Sequence, residues 1–189
     1  MKIGVLALQG AFREHCQMLG RCGVEAAEIR NANELDEVAG LILPGGESTT
    51  IGKLLGDWGI MDKIKQRAAQ GMAIYGTCAG LILLAKTIRN SDQPRLGLMD
   101  ITVRRNAFGR QVDSFEADVM IPELGAEPFP AVFIRAPLIE KAETNVEVLA
   151  RVTDRIVMAR QGKFLATSFH PELTDDTRVH QYFINMAHE

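Results

Sequence analysis

Apolar residues along the chain fall into short runs that alternate with segments of helical periodicity. The first run covers Ile3 to Leu8 and is followed, after Gly10, by apolar residues at Phe12, Cys16 and Leu19. Spacings of four and three residues place those three side chains on one face of a helix. The pattern predicts a strand, a glycine turn and an amphipathic helix, with Cys16 in the core.

The same alternation continues as far as residue 86. Apolar strands are predicted at Val24–Ile29, Leu41–Leu43 and Met72–Tyr75, with helical segments at Glu34–Val38, between Pro44 and Gly71, and over Cys78–Lys86. Alternating strands and helices are typical of a parallel sheet covered by helices on both faces. The first half of the chain therefore predicts an α/β fold.

From Leu96 onward the chain is rich in strands instead. Strands are predicted at Ile101–Arg105, Ala117–Ile121, Ala131–Ile134, Glu147–Val152, Arg155–Arg160 and Phe164–Phe169. Gln161-Gly162-Lys163 separates two alternating runs and predicts a hairpin turn. Pro122–Pro130 is predicted to be an exposed loop.

The last segment has the pattern of an amphipathic helix. Val179, Phe183 and Met186 share one face, and Asp175 and Asp176 are predicted in the first turn, where the helix dipole favours acids. The sequence contains neither an internal repeat nor a linker. We therefore expect one domain over residues 1–189.

Composition and charge exclude several classes of protein. The 189 residues are 47% hydrophobic and 24% charged, which are ordinary globular values. Lys and Arg number 21 against 24 Asp and Glu, without a block of five like charges, so we expect no nucleic-acid partner. No apolar run reaches about 18 residues and the N-terminal run is too short for a signal peptide, which predicts a cytoplasmic protein without a membrane partner.

Three cysteines without a C-x-x-C spacing argue against both a disulfide framework and a zinc site. We expect no bound metal, and we expect no cofactor. The odd number of cysteines leaves room for one reactive thiol.

The strongest chemical motif is Gly76-Thr77-Cys78-Ala79-Gly80, between a predicted strand and an apolar helix. This G-x-C-x-G pattern is the cysteine form of the nucleophile elbow, in which the glycines permit a cramped turn that raises the nucleophile above the sheet edge. A helix N-terminus also stabilises a thiolate. The alternative is a buried cysteine beside two turn glycines.

A thiolate nucleophile needs a base, and His170-Pro171-Glu172 offers an imidazole and a carboxylate two residues apart. A carboxylate bonded to one ring nitrogen leaves the other nitrogen to exchange a proton with sulfur. Alone, the same tripeptide is an ordinary exit from a strand. His15, His180 and His188 lie on predicted helices and are interpreted as surface or packing residues.

The third motif is the segment 44–50, PGGESTT, at the end of a predicted strand. Such a turn exposes backbone N–H groups, and one of them, with the N–H of Ala79, is suited to hold an oxyanion. A phosphate loop is rejected because Gly46 to Gly52 encloses five residues and Leu54 replaces the required Ser or Thr. A glycine turn that only caps a helix is the simpler alternative.

With these motifs the sequence resembles the class I (triad) glutamine amidotransferases and, within them, the glutaminase subunits of pyridoxal 5′-phosphate synthase. The resemblance covers nearly the whole chain. It rests on LQG at 8–10, LILPGGESTT at 41–50, GTCAGLILLAK at 76–86, RNAFGRQVDSFEAD at 105–118, FIRAP at 133–137 and SFHPELTDD at 168–176. It implies a three-layer, flavodoxin-like fold with a mostly parallel central sheet, helices on both faces and a strand-rich C-terminal half.

The resemblance also implies roles for single residues. Cys78 is the expected nucleophile, His170 the general base and acid, and Glu172 the residue that orients the histidine. Oxyanion-hole N–H groups are expected from Gly46 and Ala79. The expected glutamine contacts are Gly46, Glu47, Ser48, Arg105, Ile134 and Arg135, and Gln9 is expected near the active site at the interface with the synthase.

The implied activity is hydrolysis of L-glutamine to L-glutamate and ammonia through a cysteine thioester. The implied partner is a synthase subunit, in a hetero-oligomeric complex, that receives the ammonia and makes pyridoxal 5′-phosphate from a pentose phosphate and a triose phosphate. Three alternatives stay open: the glutaminase subunit of imidazole glycerol phosphate synthase, a non-catalytic flavodoxin-like regulatory module, and a cysteine peptidase on a related fold.

Overall fold

The computed structural model describes residues 1–106 and 114–189. Its strands are β1 (Lys2–Leu6), β2 (Glu25–Ile29), β3 (Gly40–Leu43), β4 (Ala73–Thr77), β5 (Ala85–Ile88), β6 (Met99–Arg104), β7 (Ser114–Val119), β8 (Phe129–Ile134), β9 (Leu138–Ala142), β10 (Glu147–Val152), β11 (Arg155–Gln161) and β12 (Phe164–Thr167). Its α-helices are α1 (Phe12–Arg21), α2 (Ser48–Asp57), α3 (Ile60–Ala69), α4 (Ala79–Leu84) and α5 (Arg178–His188). Short 3₁₀ turns cover Ala32–Glu37, Pro122–Leu124 and Pro171–Leu173.

Ten strands form one sheet, whose central part runs parallel in the order β2-β1-β3-β4-β12. Beyond β12 the order continues through β11, β9, β6 and β5, with β10 paired to β11, and most of these contacts are antiparallel. Strands β7 and β8 form a separate antiparallel pair. The mostly parallel α/β sheet is confirmed, and so is the hairpin that joins β11 to β12.

Successive residues of the central strands are buried on opposite faces of the sheet, as the pleat requires. In β3, Leu41 and Leu43 belong to the core beneath α2, α3 and α4, whereas Ile42 belongs to the core beneath α1, α5 and the β7–β8 pair. Strand β4 alternates in the same way, with Ile74 on the first side and Tyr75 on the second. Two apolar cores therefore lie on the two faces of one sheet, which confirms the three-layer arrangement.

Several boundaries differ from the prediction. The helix expected between Pro44 and Gly71 is two helices, because Gly59 takes a left-handed conformation (φ 67°) between α2 and α3. The helix expected over Cys78–Lys86 ends at Leu84, and the next residues form β5 beside β6. A short run of apolar residues is compatible with both a buried helix and a buried strand, so the sequence pattern does not distinguish the two.

The other corrections concern the second half of the chain. Asp175 and Asp176 precede α5 instead of lying in its first turn, and Asp176 accepts a hydrogen bond from the Arg178 N–H. The expected loop at Pro122–Pro130 contains a 3₁₀ turn and the start of β8, where Phe129 is fully buried. Strand β9 was not predicted. No helix within the two described ranges has the length and apolar character needed to cross a membrane.

Candidate active site

An open cleft of about 360 Å³ lies where β1, β3, β4 and β12 end, at the carboxyl edge of the parallel sheet. In open α/β sheets this edge is the usual place for a ligand. Ten of the predicted site residues line the cleft: Gln9, Gly46, Glu47, Ser48, Cys78, Ala79, Arg105, Ile134, Arg135 and His170. The eleventh, Glu172, is buried behind His170.

Cys78 occupies a strained turn between β4 and α4. Its backbone has φ 49° and ψ −101°, a conformation that L-residues rarely adopt, and its N–H donates to the Thr167 carbonyl at 2.9 Å. A Cβ on Gly80 would overlap the carbonyl oxygen of Leu43, and one on Gly76 would lie 2.5 Å from the Gly80 carbonyl carbon. Both glycines are therefore required for the turn, which has the geometry of a nucleophile elbow.

The sheet topology brings His170 to Cys78. Strands β4 and β12 are parallel neighbours with Thr77 opposite Thr167, so the residues that follow them emerge at the same edge. The His170 N–H donates to the Val132 carbonyl of β8 at 2.8 Å, and its Nδ1 lies 2.7 Å from Oε1 of Glu172. The bond to Glu172 leaves Nε2 free, and His170 lines the same cleft as Cys78.

The electrostatics of this group favour a charged His170. Burial lowers the pKa of His170, but its interactions with the neighbouring Cys78 and Glu172 outweigh burial and raise the pKa to about 10. Burial likewise raises the pKa of Glu172, yet the nearby His15 and the bond to His170 hold that pKa below its ordinary value. An imidazolium beside an ionised carboxylate is the form that both shifts support.

Two turns meet opposite Cys78. The Gly45 carbonyl accepts a hydrogen bond from the Ala11 N–H at 3.0 Å, and because the peptide is trans, the Gly46 N–H points away from Ala11. Oε1 of Gln9 accepts a hydrogen bond from the Glu47 N–H at 2.8 Å. Loops that follow β1 and β3 therefore hold each other in one arrangement along the cleft.

Ala79 is the first residue of α4, so its N–H has no acceptor within that helix. The Ile134 carbonyl lies 3.9 Å from the Cys78 sulfur.

Charged side chains of both signs face each other farther along the cleft. Nη2 of Arg135 lies 3.7 Å from Oε1 of Glu47, and both side chains are exposed. Nη1 of Arg105 donates to the side-chain oxygen of Gln93 at 3.0 Å, and the Gln93 amide donates to Oγ of Ser48 at 3.0 Å. A small ligand with one positive and one negative group matches this end of the cleft.

Comparisons with known proteins agree with this geometry. The model of the SNO glutamine amidotransferase family matches residues 5–189. The chain belongs to this family. A relative from Carboxydothermus hydrogenoformans named "Pyridoxal 5'-phosphate synthase subunit PdxT" is 62% identical over 97% of this chain and 96% of its own length. Another of the same name, from Moorella thermoacetica, is 62% identical over 98% of this chain and 99% of its own.

Solved structures place the fold in the same family. A structure described as "Crystal structure of glutamine amidotransferase" has a TM-score of 0.95 and 53% identity, covering 99% of both chains. PurLQS from Thermotoga maritima shares the fold alone, with a TM-score of 0.70, 18% identity and 97% of both chains covered. The class I amidotransferase fold expected from the motifs is thus confirmed. Part of the motif at 105–118 falls on residues 107–113, outside the described residues.

Three residues close to the family's motifs were not predicted to take part in the site. His15 and His180 are fully buried and contact each other, and His15 also contacts Thr77. Gln93 is buried between Ser48 and Arg105. His15 lies three residues after Phe12, and His180 lies three residues before Phe183, so both fall on the apolar faces of their helices. A histidine on an apolar face was the signal available, whereas Gln93 lies in a loop without a pattern.

Proposed function

We propose that the chain is the glutaminase subunit of a pyridoxal 5′-phosphate synthase, with Cys78 as nucleophile, His170 as proton carrier and Glu172 as its orienting carboxylate. One observation carries the proposal. Cys78 and His170, the latter bonded through Nδ1 to Glu172, lie on the wall of one cleft that also carries Glu47, Arg105 and Arg135. Membership of the amidotransferase family and the names of relatives 62% identical to the chain support the substrate and the pathway.

The reaction follows from the residue types. The sulfur of Cys78 attacks the side-chain carboxamide carbon of glutamine, and the N–H groups of Gly46 and Ala79 stabilise the resulting oxyanion. His170 gives its Nε2 proton to the leaving ammonia, and the γ-glutamyl thioester remains on sulfur. His170 then takes a proton from water, whose oxygen attacks the thioester and releases glutamate.

Glutamine has an α-ammonium and an α-carboxylate, and the cleft offers both complementary charges. Glu47 is suited to the ammonium, and the guanidinium groups of Arg105 and Arg135 to the carboxylate. The Ile134 backbone and Ser48 complete the binding site beside the sulfur. Gln9 supports it by holding the N–H of Glu47.

We further propose that the ammonia passes directly to a synthase subunit in a hetero-oligomeric complex. Ammonia released into neutral water is protonated and loses its nucleophilicity, so direct transfer preserves its reactivity. The absence of nucleic-acid and membrane partners, the cytoplasmic location and the single domain over residues 1–189 stay predictions.

The test is glutamate release from glutamine by the chain alone and with a pyridoxal 5′-phosphate synthase subunit. We expect activity that depends on the partner and is lost in Cys78→Ala but kept in the matched control Cys22→Ala. Glutamate release by Cys78→Ala in the complex would refute the nucleophile. Activation by the synthase subunit of imidazole glycerol phosphate synthase instead would refute the pathway.

A second arm tests direct transfer. Glutamine labelled with ¹⁵N in its amide is supplied together with an excess of unlabelled ammonium. The ¹⁵N content of the pyridoxal 5′-phosphate formed is then measured by mass spectrometry. Direct transfer predicts label in pyridoxal 5′-phosphate despite the excess, whereas dilution of the label to the bulk ratio would contradict it.

A further inference from the structure

A chain of polar side chains lies buried behind Glu172, between α1 and α5. Nδ1 of His15 lies 2.9 Å from Nε2 of His180. On its other side, Nε2 of His15 lies 3.2 Å from Oγ1 of Thr77 and 3.5 Å from Oε2 of Glu172. Both histidines are 0% exposed. The series therefore joins two helices to the carboxylate that holds His170.

The contacts of His180 determine where the protons of this series lie. Nδ1 of His180 is buried and has no hydrogen-bond partner among the described residues. A buried N–H without an acceptor is costlier than a bare ring nitrogen, so His180 carries its proton on Nε2. That N–H donates to Nδ1 of His15, which in turn leaves the proton of His15 on Nε2.

Nε2 of His15 has two oxygen neighbours, Oγ1 of Thr77 at hydrogen-bond distance (3.2 Å) and Oε2 of Glu172 slightly farther away (3.5 Å). Oε1 of this carboxylate accepts a hydrogen bond from His170, whereas Oε2 is buried without a hydrogen-bond partner among the described residues. Nε2 of His15 lies 3.5 Å from this oxygen. A small tightening when substrate binds would turn this approach into a hydrogen bond.

Charges around His15 are consistent with neutral imidazoles in the series. Burial is the largest influence and lowers the pKa of His15; Glu172 and Glu14 oppose it, and His170 adds to it. Burial and His15 lower the pKa of His180 to about 3. Tyr75 packs edge-on against both rings and is itself held neutral by burial, with Thr77 the remaining polar neighbour.

We propose that His15 is a positioning residue for the proposed hydrolysis, that its Nε2–H restrains the second oxygen of Glu172, and that His180 holds His15 in the required tautomer. This inference rests on the proposed function. A neutral donor at this place fixes the plane of the carboxylate and favours its ionised form without adding a second positive charge that would compete with His170. Glu172 is thereby held on both oxygens, by His170 on Oε1 and by His15 on Oε2.

The first experiment reads the tautomers directly. Imidazole ¹⁵N–¹H correlation spectra of the full chain, labelled with ¹⁵N-histidine and assigned with single His variants, distinguish protonated from bare ring nitrogens at pH 7. We expect the proton of both His15 and His180 on Nε2. A proton on Nδ1 of His15, or a doubly protonated His15, would overturn the proposal, and neither result depends on glutamine hydrolysis.

The second experiment compares His15→Leu, which removes the donor, with His15→Gln, whose Nε2 replaces it. In His15→Leu we expect the pKa of His170, followed by the same spectra, to fall by about one, because Glu172 is no longer held in place on its second oxygen and its hydrogen bond to His170 weakens. In the complex we expect kcat to fall about tenfold or more with KM unchanged. His15→Gln should recover most of both losses.

His188→Leu and His188→Gln, at the exposed end of α5, are the matched controls and should leave both readouts at wild-type values. An unchanged His170 pKa in a folded His15→Leu, or a His15→Gln as impaired as His15→Leu, would overturn the positioning role. If His15→Leu does not fold, the wild-type tautomers and the His15→Gln titration decide the matter. A wild-type chain without glutaminase activity but with the expected tautomers and His170 shift would refute the proposed function alone.

Discussion

The side-chain oxygen of Gln93 accepts a hydrogen bond from Nη1 of Arg105 at 3.0 Å. The amide of the same side chain donates to Oγ of Ser48, and Gln93 is 8% exposed. Arg105 follows β6 and Ser48 begins α2, so a residue from the loop after β5 links two walls of the cleft. Gln93 thus sets the position of two side chains that we propose to contact glutamine.

Gln93→Ala removes both of these bonds. We expect KM for glutamine to rise about tenfold while kcat changes little, because a lost hydrogen bond to a charged group costs about 1.5–3 kcal/mol and acts here on binding. Steady-state glutamate release in the complex measures both constants. Gln66→Ala, the same change on the exposed side of α3, is the control. A Gln93→Ala variant with wild-type KM and a reduced kcat would contradict the assignment.

The motif residues of the site were predictable from the sequence, but the residues that hold them in position, such as Gln93, were not. The elbow at Cys78 needs small residues at fixed offsets, and the turn at Gly45-Gly46 follows a buried strand, so short-range sequence patterns identify both. Gln93 contacts residues that are 12 and 45 positions away in the chain. Such pairs arise from the packing of the sheet, which periodicity does not encode.

Element boundaries show the same division. The apolar run at 78–86 predicts burial correctly, but the chain changes from α4 to β5 inside it because β6, more than ten residues later, offers a strand edge. The pattern of apolar and polar residues predicts which side chains are buried. It does not predict which strand the backbone pairs with.

A Cβ at Gly45 would lie 2.5 Å from Cε1 of His170. Gly45→Ala should therefore displace the imidazole and reduce kcat at least tenfold while the protein stays folded, because His170 borders the open cleft and its ring can shift there without unpacking the core. Gly56→Ala is the matched control, since no described residue outside its own helical turn has an atom within 4 Å of the added Cβ, and α2 favours alanine. Glutamate release measures kcat, and far-UV circular dichroism checks that the variant is folded. Wild-type kcat in Gly45→Ala would show that this close approach does not constrain His170.

The backbone of Cys78 stores strain that glycine relieves. At φ 49° and ψ −101° a Cβ is disfavoured by about 1–3 kcal/mol, whereas glycine in the unfolded chain costs about 0.5–1 kcal/mol of entropy. Cys78→Gly should therefore be more stable than Cys78→Ala, by about 1 kcal/mol in urea unfolding. At Cys22, whose φ is −79°, the order should reverse. The same order at both positions would mean that the elbow is unstrained.

The buried histidines give the protein a dependence of stability on pH whose sign is determined. His180 has its pKa lowered to about 3 by burial, from an unfolded value near 6.5, so between these values the unfolded chain binds a proton that the folded chain does not. Stability therefore falls as pH falls from 6.5 towards 3, by about 1.4 kcal/mol per pH unit well below 6.5 for each such histidine. His15, whose pKa is also lowered by burial, adds in the same direction.

Urea unfolding of the wild type and of His180→Leu between pH 5 and 6.3 isolates this contribution, because the other titrating groups are common to both chains. We expect the free energy of unfolding to depend less steeply on pH in the variant, by up to about 1.4 kcal/mol per unit at the acid end of the window. His188→Leu, whose histidine is exposed in the folded state, should keep the wild-type slope. Parallel curves for wild type and His180→Leu would show that His180 accepts a proton in the folded protein, and the neutral series behind Glu172 would then have to be abandoned.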